Sequence, residues 1–312
     1  MSVMITGGTG FIGSYLARRL VEEGCDVILF DFLPRFDLIE DIKNKVKIVR
    51  GDIADITDLL ISIRKHSVEY IVHLAYMHLV ESEEKPWKAL RVNCGGHLNV
   101  FEAMRITNVK RVVYVNSVAA YGPAKYYEEK PISEDTPPRP TTVYGMCRAF
   151  DAFMAHYYHE KYGLDIIGIR PGGIVYGPGM TVHTWFRDMI EKSLLGEPVK
   201  VPYGNQKVDW QYVKDTVNAF VLALKAKNLK HRIFNTCGEV RTVREAAEIV
   251  KRLLPNAKIE VEDKGELPFP YLFDIKRARE ELGYRPQYTL ERGIKEYIDI
   301  IKCKAKNRGN KV

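Results

Sequence analysis

The stretch TGGTGFIG, residues 6–13, decides the reading of this chain. It follows a short apolar run, SVMIT (2–6), and opens an amphipathic segment, FIGSYLARRLVEEG (11–24). Gly7, Gly10 and Gly13 recur at every third position. In a strand–loop–helix context such a turn brings backbone amides close to a pyrophosphate, which then sits at the positive end of the helix. The next apolar run, DVILFD (26–31), ends in Asp31, 18 positions after Gly13. A carboxylate at the tip of the second strand accepts from the two adenosine-ribose hydroxyls and repels a 2′-phosphate. Together these residues predict a dinucleotide site that favours NAD over NADP. Arg35, close by in sequence, makes that a preference and no more.

Outward from this turn the same rhythm continues. Apolar runs VKIVRGD (46–52), EYIVHLA (69–75), RVVYVNS (111–117) and DIIGIRP (165–171) alternate with helical patterns such as GHLNVFEAMRITN (96–108). Repeated βα units with right-handed crossovers build a parallel sheet covered on both faces. The expected class is therefore α/β, a Rossmann-type doubly wound parallel sheet with a smaller C-terminal substrate-binding lobe. After about residue 172 the loops turn rich in Gly and Pro (PGGIVYGPG, VPYGNQ, LPFPY), while HRIFNT (231–236) reads as one more strand. This predicts interleaved domains: 1–172 binding the nucleotide, with a later contribution near 205–237, and 173–312 mainly holding substrate.

The chain has 312 residues, 46% hydrophobic and 28% charged, ordinary proportions for a globular protein that buries its own core. Five cysteines, Cys25, Cys94, Cys147, Cys237 and Cys303, are scattered and lack C-x-x-C spacing. That argues against a disulfide framework or a zinc site and fits a reducing, cytoplasmic compartment. The N-terminus shows no targeting pattern, and no apolar run approaches the ~18 residues of a membrane span. Much of the net charge of +7 lies in KCKAKNRGNK (302–311), which reads as a frayed, solvated tail rather than a nucleic-acid surface.

With these residues in view, the chain resembles the NAD-dependent epimerase/dehydratase family of extended short-chain dehydrogenase/reductases, over nearly its whole length. TGGTGFIG is similar to the family's glycine motif, which implies cofactor contacts at Gly7, Gly10, Phe11, Ile12 and Gly13. GDI matches its adenine-contacting Asp52 and Ile53. HLAY (73–76) resembles its HLAA motif beside the cofactor, at Leu74 and Ala75, with Tyr76 in place of the last Ala. Asn93 in NCGGHLNVFEA matches its Asn-x-x-Gly pattern, though His97 stands where Thr is usual. VNSVAAYG implies a catalytic Ser117, and PTTVYGMCRAF implies a catalytic Tyr144. Arg148 then occupies the position of the family's lysine, and Pro171 follows the sixth strand near the nicotinamide. VDWQYVKDTVNAF (208–220) and LGYRPQYTLERGIKEYI (282–298) look like its C-terminal motifs. A homodimer is a further implication of the resemblance.

The chemistry is that of alcohol oxidation. A free tyrosine, with pKa ~10, is a poor base near neutrality, but a cation one helical turn away favours the phenolate. Tyr144 and Arg148 are i and i+4 and can share a helix face. Ser117 would donate to the substrate oxygen. In a second reading Ser117 only caps a loop, Tyr144 is a half-buried aromatic near a helix start, and Arg148 is a solvated arginine. A literal Tyr-x-x-x-Lys also exists at Tyr157 and Lys161, 13 residues past Tyr144, but one site cannot use both pairs. The expected substrate is a small molecule, either a nucleotide sugar or a smaller hydroxy or keto compound. Three departures weaken the first: Gly172–Gly173 near the expected Asn, Val208 in place of an Arg, and Lys264 near the position of a later Arg. A catalytically silent NAD-binding scaffold or sensor is the alternative, supported by Arg148 and opposed by the retained Ser117 and Tyr144. Apolar faces on HTWFRDMIEKSLLGE (183–197) and NVFEAMRITN (99–108) could pair subunits, but core packing explains such stripes more often than an interface.

Overall fold

The computed structural model describes residues 1–309. Seven parallel strands form the main sheet: β1 (Ser2–Thr6), β2 (Asp26–Asp31), β3 (Lys47–Arg50), β4 (Tyr70–His73), β5 (Arg111–Val115), β6 (Ile166–Arg170) and, late in the chain, Ile233–Asn235. Before that last strand come β7 (Ile174–Tyr176), β8 (Pro198–Val201) and β9 (Lys207–Tyr212), so Ile233–Asn235 is β10; β11 (Glu239–Thr242) and β12 (Lys258–Val261) follow it. The order across the sheet is β10-β6-β5-β4-β1-β2-β3. This is a doubly wound arrangement whose strand order reverses beside β1, where such folds hold their ligands.

Period-two burial builds both faces. Val3 and Ile5 point into one core with Val27, Leu29, Val72 and Val113, while Met4 points into the other with Ile28, Phe30, Ile71 and Val112. The helices are α1 (Phe11–Glu22), α2 (Ile56–Lys65), α3 (Leu79–Glu84), α4 (Pro86–Ala89), α5 (Gly96–Ile106), α6 (Val143–Tyr162), α7 (Thr184–Leu194), α8 (Val213–Lys225), α9 (Val243–Leu253) and α10 (Leu290–Gly309). Helices α1 and α8 cover the first face, and α2, α5 and α6 the second. The segment 205–237 divides: β9 pairs with β7 and β11 outside the main sheet, whereas α8 packs on α1 and β10 joins β6.

Core packing, the commoner origin of the two apolar stripes, holds for both, and the expected frayed tail needs correction. The apolar face of α7, with Phe186, Met189 and Ile190, is fully buried, and so is that of α5, with Val100 and Phe101. Both stripes are core. The exposed apolar row lies instead on α6, at Met146, Phe150, Phe153 and Tyr157. Finally, residues 302–309 continue α10 rather than fraying, as a run with three Lys, one Arg and one Ala allows. The rest of the expected tail, 310–312, lies outside the described residues.

Two glycines make the first turn possible. Gly7 has φ +65° and passes within reach of the Leu74–Ala75 backbone. At Gly13 a Cβ would meet the Gly7 carbonyl oxygen at 2.3 Å and Gly8 Cα at 2.8 Å. Gly13→Ala is therefore expected to lose about 1–3 kcal/mol of stability through overpacking, read as a lower denaturant midpoint; an unchanged midpoint would mean that the loop relaxes freely.

Candidate active site

Chain geometry places the predicted nucleotide residues around the switch point. Gly10 begins α1 with no side-chain cap, so the first-turn amides of the helix are left for an anion. Asp31 ends β2, where its carboxylate accepts from Thr9 N (3.1 Å), Thr9 Oγ1 (2.7 Å) and Leu33 N (3.3 Å). Those bonds fix the carboxylate beside the glycine loop. Arg35 turns away to Asp37 at 2.8 Å, an exposed pair. Asp52 Oδ1 accepts from Ala54 N at 2.9 Å, while Ile53 is buried and fills the space left by Gly96. Leu74 and Ala75 donate their amides to Thr6 Oγ1 at 3.2 and 3.3 Å. Asn93 has no exposed surface: its amide bonds Met77 N (2.7 Å) and Met77 O (3.2 Å), so its visible work is to hold the loop after β4. The cradle too tight for Cβ atoms, the uncapped helix and the fixed carboxylate suit a dinucleotide.

A cavity of about 330 Å³ opens beside this end. Its walls bring together Phe11, Ile12, Ser117, Tyr144 and Pro171 from the predicted set, and add Tyr76. Among the described residues, none of its lining side chains is Asp, Glu, Lys or Arg. The cavity wall also carries Trp185, Tyr203, Phe269 and two histidines, His78 and His183. Burial lowers the pKa of both imidazoles, that of His183 to about 4. His183 has φ +53°, in the left-handed region that is strained for a side-chain-bearing residue. The three substrate-side departures are visible here. A Cβ on Gly172 would strike Asp209 Oδ2 at 2.3 Å, Val208 is buried, and the Lys264 side chain is 84% exposed.

Tyr144 is the second residue of α6, behind the cap that Thr142 makes by accepting from Gly145 N at 3.0 Å. Ser117 caps the short turn 118–121, accepting from Ala119 N at 3.1 Å, and lines the same cavity as Tyr144. The capping role leaves Ser117 on the cavity wall. Arg148 is not solvated: it has no exposed surface at all. Its guanidinium lies 5.2 Å from the Tyr144 ring centroid and 5.5 Å from that of Tyr76. Nη1 donates to Val115 O at 3.2 Å, and Nη2 lies 3.3 Å from Asp151 Oδ2. Asn116 ties β5 to the same turn, donating to the Arg148 carbonyl at 2.7 Å. Burial raises the Tyr144 pKa, with Arg148 and the Ser117 hydroxyl pulling it down.

Tyr76, His97 and Arg148, the three departures from the motifs quoted above, form one cluster. Tyr76 and Arg148 touch, and His97 Nε2 lies 3.5 Å from Asp151 Oδ2, whose carboxylate faces Arg148. Asp151, Asn116 and His73 are residues that motif reading misses. Only Asp151 leaves a signal, the i, i+3 spacing from Arg148. The decoy Tyr157 lies on the exposed face of α6, away from the cavity.

The profile of the NAD dependent epimerase/dehydratase family matches residues 3–237. A putative UDP-glucose 4-epimerase of Methanocaldococcus jannaschii is 32% identical, the alignment covering 96% of this chain and 98% of that one. Among solved structures, UDP-glucose 4-epimerase of Thermus thermophilus in complex with NAD has TM-score 0.85 and 28% identity, covering 97% of this chain and 99% of that one. UDP-glucose 4-epimerase of Thermotoga maritima with UDP-glucose has TM-score 0.88 and 25% identity, covering 98% and 100%. A match over so much of the chain, on a fold with these glycines in this crevice, means that the protein belongs to the NAD-dependent epimerase/dehydratase family, with NAD as its cofactor.

Proposed function

We propose that this protein transfers hydride between NAD and a secondary alcohol, or the corresponding ketone, with Tyr144 as acid and base. The observation that carries the proposal is that Ser117 and Tyr144 line one cavity with Phe11, Ile12 and Pro171, while the buried Arg148 guanidinium lies 5.2 Å from the Tyr144 ring centroid. Ser117 holds the substrate oxygen against the phenol. Tyr144 takes the hydroxyl proton in oxidation and returns it in reduction. The buried Arg148 charge favours the phenolate through each cycle, since a guanidinium does not lose its proton. Bound NAD supplies the hydride acceptor, and its oxidised ring adds a second positive charge. A silent scaffold has no need of both Ser117 and Tyr144 on one cavity wall, which favours the catalytic reading.

Two substrate readings each have an observation behind them. The relatives favour a nucleotide sugar. The cavity wall, with no cation to meet a diphosphate, favours a smaller hydroxy or keto compound. UDP and UDP-glucose added to the NAD-loaded protein decide between them: a large rise in melting temperature supports the sugar nucleotide, and no rise supports the smaller substrate.

The exposed row Met146, Phe150, Phe153 and Tyr157 on α6 supports a homodimer formed through that helix. Phe153→Glu is then expected to sediment as a monomer where the natural sequence sediments as a dimer; a monomeric natural chain would refute this. The free thiols of Cys25, Cys94, Cys147 and Cys237 support a cytoplasmic location.

Two further outcomes follow from the site. NAD is expected to bind more tightly than NADP by calorimetry, with Asp31→Ser narrowing the gap; equal affinities in the natural chain would sink the reading of Asp31. Tyr144→Phe is expected to lose at least about a hundredfold in turnover while keeping its NAD affinity. Tyr157→Phe should turn over like the natural chain, and the reverse pattern would move the site to the decoy.

A further inference from the structure

Beneath the cavity a line of fully buried polar groups runs from the glycine turn to Arg148. Thr6 Oγ1 accepts the amides of Leu74 and Ala75, so its own proton goes to His73 Nδ1 at 2.6 Å. His73 Nε2 must then carry a proton, which it donates to His97 Nδ1 at 3.1 Å. That leaves the remaining His97 proton on Nε2, which lies 3.5 Å from Asp151 Oδ2. Arg148 Nη2 approaches the same oxygen at 3.3 Å. Thr6, His73, His97, Arg148 and Asp151 are all buried. Asp151 ends the line.

We propose that Asp151 is a positioning residue that shares the Arg148 cation with Tyr144, and that the His73–His97 pair behind it sets the share. Tyr144 stands one turn before Arg148 and Asp151 one turn after it, on a single helix, so two acids compete for one fixed charge. His97 draws on Asp151 from the other side and frees part of Arg148 for Tyr144. The proposal rests on the reading of Tyr144 as the acid–base group.

The other titratable groups of the cluster do not replace Asp151. Burial, with the nearby Arg148, holds His73 and His97 neutral. Burial pushes the phenols of Tyr76 and Tyr114 up, and donation of its proton to Cys147, with burial, does the same to the Cys94 thiol. Cys147 is the one competitor, its thiol drawn down to about 7 by the bond from Cys94 and by Arg148. Burial raises Asp151 to about 8 against the pull of Arg148. Tyr144 is raised above the ordinary phenol value, so Asp151 is already ionised where the phenol titrates and its charge opposes the phenolate in full.

The test is an ultraviolet difference titration of phenolate in the full chain without ligand, each variant read against its own Tyr144→Phe counterpart. Asp151→Asn should move the Tyr144 titration to lower pH by about half a unit or more. His97→Thr should move it the other way, because Asp151 then turns wholly to Arg148. The shift produced by Asp151→Asn should be the same size with or without an added Cys147→Ser. If Asp151→Asn fails to fold, His97→Thr carries the test alone. A Tyr144 titration that moves in neither variant, or that follows Cys147→Ser instead, overturns the proposal and leaves Asp151 a structural counter-ion. Loss of the functional reading would look different: Tyr144→Phe would keep its turnover while these titrations still shifted.

Discussion

A guanidinium with no exposed surface is the constraint around which this site is built. Arg148 cannot discard its proton, so every neighbour has to accommodate a permanent charge in a dry interior. Asp151, the Val115 carbonyl and the faces of two tyrosines do so. Removing one partner of such a pair typically costs about 3–5 kcal/mol, which fixes the rotation of α6 against β5. That rotation delivers Tyr144 to the cavity, and Asn116 reinforces it by gripping the Arg148 carbonyl.

The same constraint explains why the chain's departures from its family's pattern are grouped. An arginine is longer than a lysine and presents a planar fork, which stacks on aromatic rings as an ammonium does not. Tyr76 supplies such a ring, and it occupies a position where the family's motif has an alanine. His97 reaches the carboxylate on the other side of the fork. One substitution at the cation thus coincides with two others that touch its surroundings, and the result is a filled pocket that holds a buried cation beside Asp151.

Much of the fold was legible because its signals are local. TGGTGFIG names a strand, a turn and a helix in eight letters, and the alternating runs identify the strands of the main sheet. The i, i+4 spacing was enough to bring Tyr144 and Arg148 together. What sequence could not supply is depth. A lone helix arginine reads as solvated, and only the packing of α6 on β5 buries it. The apolar faces of α5 and α7 carry the same pattern whether they meet a core or a partner, while the exposed row on α6 is interleaved with buried small residues that blur its period. The line from Thr6 through His73 and His97 to Asp151 joins four separate elements, so no spacing encodes it.

The most direct test of this account is a crystal structure of the protein with NAD bound. It should show the Tyr144 hydroxyl and Ser117 Oγ facing the reactive carbon of the nicotinamide, with Arg148 still buried between Tyr76 and Tyr144 against Asp151. A structure in which Arg148 has left that pocket for solvent, or in which Tyr144 points away from the nicotinamide, would contradict it.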